Sequence, residues 1–143
     1  MRALPLPATS TQADFTTVLL NPDGSQVAAV AVPTTASRIP SSEANTNPTS
    51  AKATAGSLFH VNGYNSSATI TYLKFYDKAT APTVGTDTPV LTLALPALAV
   101  FSYDLQGFVF ATGIAYGLTT AAADNGTAAP AAAAVLGLNV VMA

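Results

Sequence analysis

The chain has no cysteine, no tryptophan, a single histidine and only 8% charged residues. Without cysteine there is no disulfide framework and no cysteine metal site, and the redox compartment stays open. The formal net charge is -2, with five Lys and Arg against seven Asp and Glu. No basic patch is available to neutralise nucleic-acid phosphates, so no nucleic-acid partner is expected. No apolar run reaches the roughly 20 residues of a membrane span. The longest apolar tract, residues 128–143, is broken by Pro130, Gly137 and Asn139. No secretory signal is expected, because Pro5 and Pro7 interrupt a short apolar start behind Arg2.

What is present is hydrophobic: 50% of the 143 residues. This length suits one domain with a sizeable core. A lone soluble domain commonly keeps about 25–35% of its surface charged. Here Ser, Thr and Ala stand in for Lys and Glu. One reading is a small domain with a Thr-coated face. The other, which the charge deficit favours, is a protein that lives inside an assembly, since permanent interfaces are depleted in charge.

Residues 1–17, rich in Pro, Thr and Ala, show no period and read as an extended N-terminal arm. Apolar residues 18–20 and 27–32 flank Asn21-Pro22-Asp23-Gly24-Ser25, which predicts a hairpin. Residues 34–55 are polar and carry Pro40 and Pro48, and they read as a long loop or an arm lying on a neighbour.

From residue 57 onward the period is two. Residues 58–62 form a short run ending at Gly63. Residues 68–77 set Leu73 and Phe75 on one face and Ile70, Tyr72 and Tyr76 on the other, so a partner is expected to cover the second face. Leu91, Leu93 and Leu95 share a face. Phe101, Tyr103 and Leu105 point inward, with Ser102 and Asp104 outward. Gln106-Gly107 predicts a tight hairpin before a short strand at 108–111. Strands are expected at 114–119 and at 135–142, the latter grouping Leu136, Leu138, Val140 and Met142. Pro130 argues against a helix through the alanines of 121–134. Eight or nine short strands without a helix predict an all-β sandwich over residues 18–143. A jelly roll is the leading topology and an immunoglobulin-like sandwich the alternative.

Little of the chemistry of catalysis is visible. His60 has no nucleophile elbow near it in sequence and reads as a structural histidine. The aspartates sit mostly beside Gly, Pro or Asn, where they cap turns, and no calcium-loop spacing occurs. The glycines match no phosphate cradle. Asn65-Ser66-Ser67 and Asn125-Gly126-Thr127 match the glycosylation sequon by chance. No enzyme activity, cofactor or metal is expected. The aromatics cluster, and Tyr72, Tyr76, Ile70 and Phe108 are the expected interface residues.

One segment carries a family likeness. Tyr72-Leu73-Lys74-Phe75-Tyr76-Asp77-Lys78 continues through Val84-Gly85-Thr86-Asp87-Thr88-Pro89 into the leucine strand. Gly107-Phe108-Val109-Phe110 and Thr112-Gly113-Ile114-Ala115-Tyr116 follow. This series resembles small virion structural proteins of tailed bacteriophages, of the head decoration or cement kind, over residues 57–141. The resemblance implies a protein on the capsid exterior, present in the host cytoplasm during assembly. Its implied partners are the major capsid protein and itself, as a dimer. A tail fibre or receptor-binding module is the alternative. A small hydrolase built on His60 is a third and weaker reading.

Overall fold

A computed structural model describes residues 32–143; the expected N-terminal arm and the hairpin around Asn21–Ser25 lie outside them. The elements in chain order are β1 (Thr35–Ser41), β2 (Thr49–Lys52), β3 (Gly56–Asn65) and β4 (Thr71–Asp77). Then come β5 (Leu91–Leu95), β6 (Ala99–Phe110), β7 (Ile114–Thr119) and β8 (Val135–Met142). They form two four-stranded sheets, ordered β1-β8-β3-β6 and β2-β7-β4-β5. Every pairing within them is antiparallel. The protein is an all-β sandwich, as the alternation of its apolar residues predicts. Strands pair in nested order, β4 with β5, β3 with β6, β2 with β7 and β1 with β8. Among the described residues, the first two strands, β1 and β2, lie in different sheets.

The core lies between the sheets. Leu58 and Val61 of β3, Leu138, Val140 and Met142 of β8, and Phe101 and Phe110 of β6 face Leu73, Phe75, Leu95, Ile114, Tyr116 and Leu118. Phe75 is central, with its ring 5.9 Å from Tyr116 and 6.3 Å from Phe110. Two tyrosines tie the sheets together near their sides. Tyr116 Oη lies 3.0 Å from Ser37 Oγ of β1, and Tyr103 donates its hydroxyl to the Ala94 carbonyl of β5. Asn65, fully buried, closes one end. Its amide donates to the carbonyls of Leu95 (2.9 Å) and Thr69 (3.0 Å), so this sequon asparagine is consumed by the fold.

Three expectations are corrected. The polar segment 34–55 is not a continuous loop, because it contains β1 and β2. An edge strand needs only one partner and one inward row, so its composition is allowed to be polar. Ser37 and Ile39 supply that row, and Pro40 is tolerated at the edge. Gln106-Gly107 does not reverse the chain. Both residues have positive φ (50° and 86°), but β6 runs through them as one strand of 12 residues. Between the pairs His60↔Asp104 and Leu58↔Phe108, β6 spends two more residues than β3, so the turn chemistry makes a bulge.

In β8, Leu136 does not share the face of Leu138, Val140 and Met142. Gly137 adopts a left-handed φ of 58° where the register with β3 slips between Asn62 and Tyr64. The slip inverts the phase, so Val135 takes the core position and Leu136 turns out. Nothing stands within 4 Å of a Cβ built at Gly137, so its constraint is torsional. Gly137→Ala is expected to lower unfolding free energy by about 1 kcal/mol in urea titrations, and Gly137→Asn by less, since asparagine tolerates the left-handed region.

Candidate functional site

The expected interface residues do not form one patch. Ile70 precedes β4 and is exposed, Tyr72 is half-buried, and Tyr76 is only 1% exposed. Phe108 is exposed but belongs to β6, in the other sheet. Tyr76 is therefore not a surface residue. The second face of β4 is covered not by a partner but by the chain's own β4–β5 and β7–β8 connections. Lys74, also fully buried, donates from Nζ to the carbonyl of Ala123 and, at 3.5 Å, to that of Gly126. A Cβ placed on Gly117 of β7 would come within 2.7 Å of Val84 Cγ2. One placed on Gly85 would come within 2.2 Å of the Thr127 methyl, so the two connections touch each other.

Electrostatics inside this layer follow from burial. Desolvation pushes the Lys74 ammonium below the usual lysine range, with Asp124 opposing the shift. Burial, then the Asp87 and Asp124 carboxylates, pushes the Tyr76 phenol up, and its hydroxyl has no hydrogen-bond partner. Lys78 pairs with Asp87 at 2.6 Å, and Asp87 also accepts the Thr83 N–H at 2.7 Å. Asp77, at the end of β4, accepts N–H groups from Ala111 (3.1 Å), Thr112 (2.7 Å) and Gly113 (3.2 Å) across the β6–β7 turn. These donors, Thr112 first, hold its carboxyl below the usual carboxylate range. The turn-capping role expected of the aspartates is met at Asp77 and Asp87, while Asp104 accepts an N–H of the bulge inside β6.

The outer face of β1-β8-β3-β6 is different. Register places Arg38, Asn139, Asn62 and Ser102 in one row across its four strands. Ala36, Val141, His60 and Asp104 make the next row. Asn139 donates to Asn62 Oδ1 at 2.8 Å, and His60 Nε2 lies 3.3 Å from Ser102 Oγ. His60, Ser102 and Asp104 thus meet on one sheet face. The Asp104 carboxylate accepts its own bulge's Gln106 N–H at 3.1 Å, however, and no hydrogen bond joins it to His60. A triad needs the carboxylate to orient the imidazole, and here it holds the backbone of β6. The row escaped sequence reading because its members are dispersed; the bonded pair Asn62 and Asn139 are 77 positions apart.

Beside Arg38 and Pro40 of β1 lies an open groove of about 360 Å³, whose other wall is the β1–β2 connection. Glu43, Asn45 and Asn47 brace that wall through their own hydrogen bonds, including Asn45 Nδ2 to Glu43 Oε2 at 2.9 Å. Among the described residues no group of three His, Asp or Glu side chains is placed to hold a metal ion. No helix there is long and apolar enough to cross a membrane.

Edge strands complete the surface. β1 carries Arg38 and Pro40. β2 has 4 residues, a register shift and Lys52. β5 has 5 residues without charge or proline, and its Ala94 carbonyl already accepts the Tyr103 hydroxyl. The charge, proline and bulge on β1 and β2 discourage further strand pairing. β6 has 12 residues, no proline and no lysine or arginine, and Asp104 is its one charge. Val100 is 79% exposed, Val109 73% and Phe108 39%, with Leu98 just before the strand at 62%. No family model, curated protein or solved structure matches this chain.

Two expectations test the covered sheet. The contribution of Asp77 to stability is full above the ordinary carboxylate value and is lost as pH falls through its depressed folded value. Asp77→Asn is therefore expected to be less stable near neutrality and to lose less stability on acidification below about pH 4, read by urea unfolding at a series of pH values. Lys74→Ala leaves carbonyls without their donor and a void beneath the β7–β8 connection. A loss of about 2–4 kcal/mol is expected, with faster amide exchange concentrated in residues 121–128.

Proposed function

We propose that this protein is a structural component of a tailed-phage virion, a decoration or cement protein that binds the assembled major-capsid shell and self-associates. The observation that carries the proposal is the pairing of a nearly uncharged chain with exposed apolar residues gathered along one unprotected strand, β6. Composition of this kind suits a surface covered in an assembly. The resemblance of residues 57–141 to phage virion proteins points the same way. The nested strand order is read as a jelly roll, eight strands in two Greek keys. Binding the closed shell but not free subunits would stabilise it by mass action, and many copies would add through multivalency.

A second reading, a tail-fibre or receptor-binding module, is favoured by the row Arg38–Asn139–Asn62–Ser102. That row is a flat, polar, open sheet face with the half-exposed Tyr64 on the same strand as Asn62. Such a surface offers hydrogen bonds and one aromatic platform to a sugar. Co-sedimentation with purified shells lacking the protein is the deciding measurement. The expected result is saturable binding in a copy number set by shell symmetry. Absence of binding, together with glycan-array signals abolished by Arg38→Ala, would replace the decoration reading with the receptor-binding one.

A further inference from the structure

We infer that the β6 edge joins two copies of this chain, β6 to β6 and antiparallel, so that the two β1-β8-β3-β6 sheets become one continuous sheet across a two-fold axis. The inference deepens the self-association in the proposed function by naming its surface, and it rests on the structure of the edges.

A sheet edge exposes backbone donors and acceptors that pair with any suitable strand. Among the described residues, β1 and β2 carry charge, proline or a bulge, β5 has a carbonyl already bonded to Tyr103, and β6 has none of these features from Ala99 to Tyr103. The stretch of β6 before the bulge, from Ala99 to Asp104, pairs regularly with β3 in its later part, from Asn65 to His60. Its outward row is Val100, Ser102 and Asp104, with Val100 the most exposed large apolar residue among the described residues.

Charge selects the occupant. A strand with one carboxylate and no cation offers nothing to attract a strongly charged partner, but it matches itself. With the axis near Ser102, Val100 of one copy lies beside Asp104 of the other. The two carboxylates then stand about 14 Å apart along the strands, at ~3.4 Å per residue, beyond the screening length of about 8 Å at physiological salt. Two-fold pairing uses the same β6 edge in both copies of the sheet and leaves β1, with Arg38 and Pro40, at both outer ends, so pairing through this sheet closes as a dimer.

The full chain lacks cysteine, which makes the test direct. Directly opposed residues of an antiparallel pair have Cα atoms roughly 4.5–5.5 Å apart, within the range a disulfide spans. Ser102→Cys is expected to form a covalent dimer in a glutathione redox buffer, and Arg38→Cys on the β1 edge is expected to remain monomeric by the same gel. In analytical ultracentrifugation without shells, the unmodified chain is expected to be a dimer. Val100→Asp, which sets a second carboxylate beside Asp104 of the other copy, should weaken dimerisation roughly tenfold or more with an unchanged circular-dichroism spectrum. A monomeric unmodified chain would overturn the inference. So would a dimer indifferent to Val100→Asp, or crosslinking through Arg38→Cys in place of Ser102→Cys. Shell binding is read separately. A β6-joined dimer that ignores shells defeats the functional proposal alone, and a monomer that binds them defeats this inference alone.

Discussion

The buried ammonium of Lys74 is the constraint on which much of the architecture depends. A charge taken out of water costs several kcal/mol unless polar groups replace its hydration. Here the carbonyls of Ala123 and Gly126 do so. That requirement holds the β7–β8 connection against the outer face of β4. The contact of Gly85 with Thr127 then brings the β4–β5 connection alongside. Tyr76 is sealed beneath this layer, and all six residues of β7 are buried. Antiparallel sheets commonly leave one face to water. The β2-β7-β4-β5 sheet leaves little, because its connections act as a third layer.

Among the described residues, open surface is thereby concentrated on the other half of the sandwich. With one sheet closed by its own chain, the broad open surface among the described residues is the outer face of β1-β8-β3-β6 and its β6 edge. The two regions differ in chemistry. The face is a ladder of amides, hydroxyls, one imidazole and one guanidinium, several already bonded to each other. The edge is apolar and unpaired. Polar ladders stay hydrated at little cost, whereas exposed valine and phenylalanine on a long strand are a liability in a free monomer. This contrast is why the edge carries the assembly argument.

The scarcity of charge and the double burial of one sheet have a common root. Connections that must lie on an apolar sheet face cannot carry many ionised groups. The few present are spent on fixing turns, as Asp77 does at the β6–β7 turn and Lys78 with Asp87 within the β4–β5 connection. Neutral Thr, Ala and Ser fill the rest.

Period-two alternation was enough to determine the sandwich. Ile114 to Thr119 and Val135 to Met142 are strands at the expected residues, because the large residues at every second position, Ile114, Tyr116 and Leu118 in the first and Leu138, Val140 and Met142 in the second, line the core. Prolines and glycines located the β4–β5, β5–β6 and β7–β8 connections, but Gly63, expected to end a strand, and Gly107 both lie inside strands. What sequence could not decide is whatever depends on a distant partner. Thr35–Ser41 becomes a strand only because β8 supplies its hydrogen bonds. Gln106-Gly107 is a bulge and not a hairpin because β3 keeps pairing on both sides of it. Leu136 turns outward because Gly137 slips the register. Tyr76 looked like a surface residue on an alternating strand, and only the folding-back of residues 78–90 and 120–134 made it core. The row from Arg38 to Ser102 exists solely through register. Local pattern fixes which residues want burial, while pairing across long stretches of chain fixes which of them obtain it and what is left facing out.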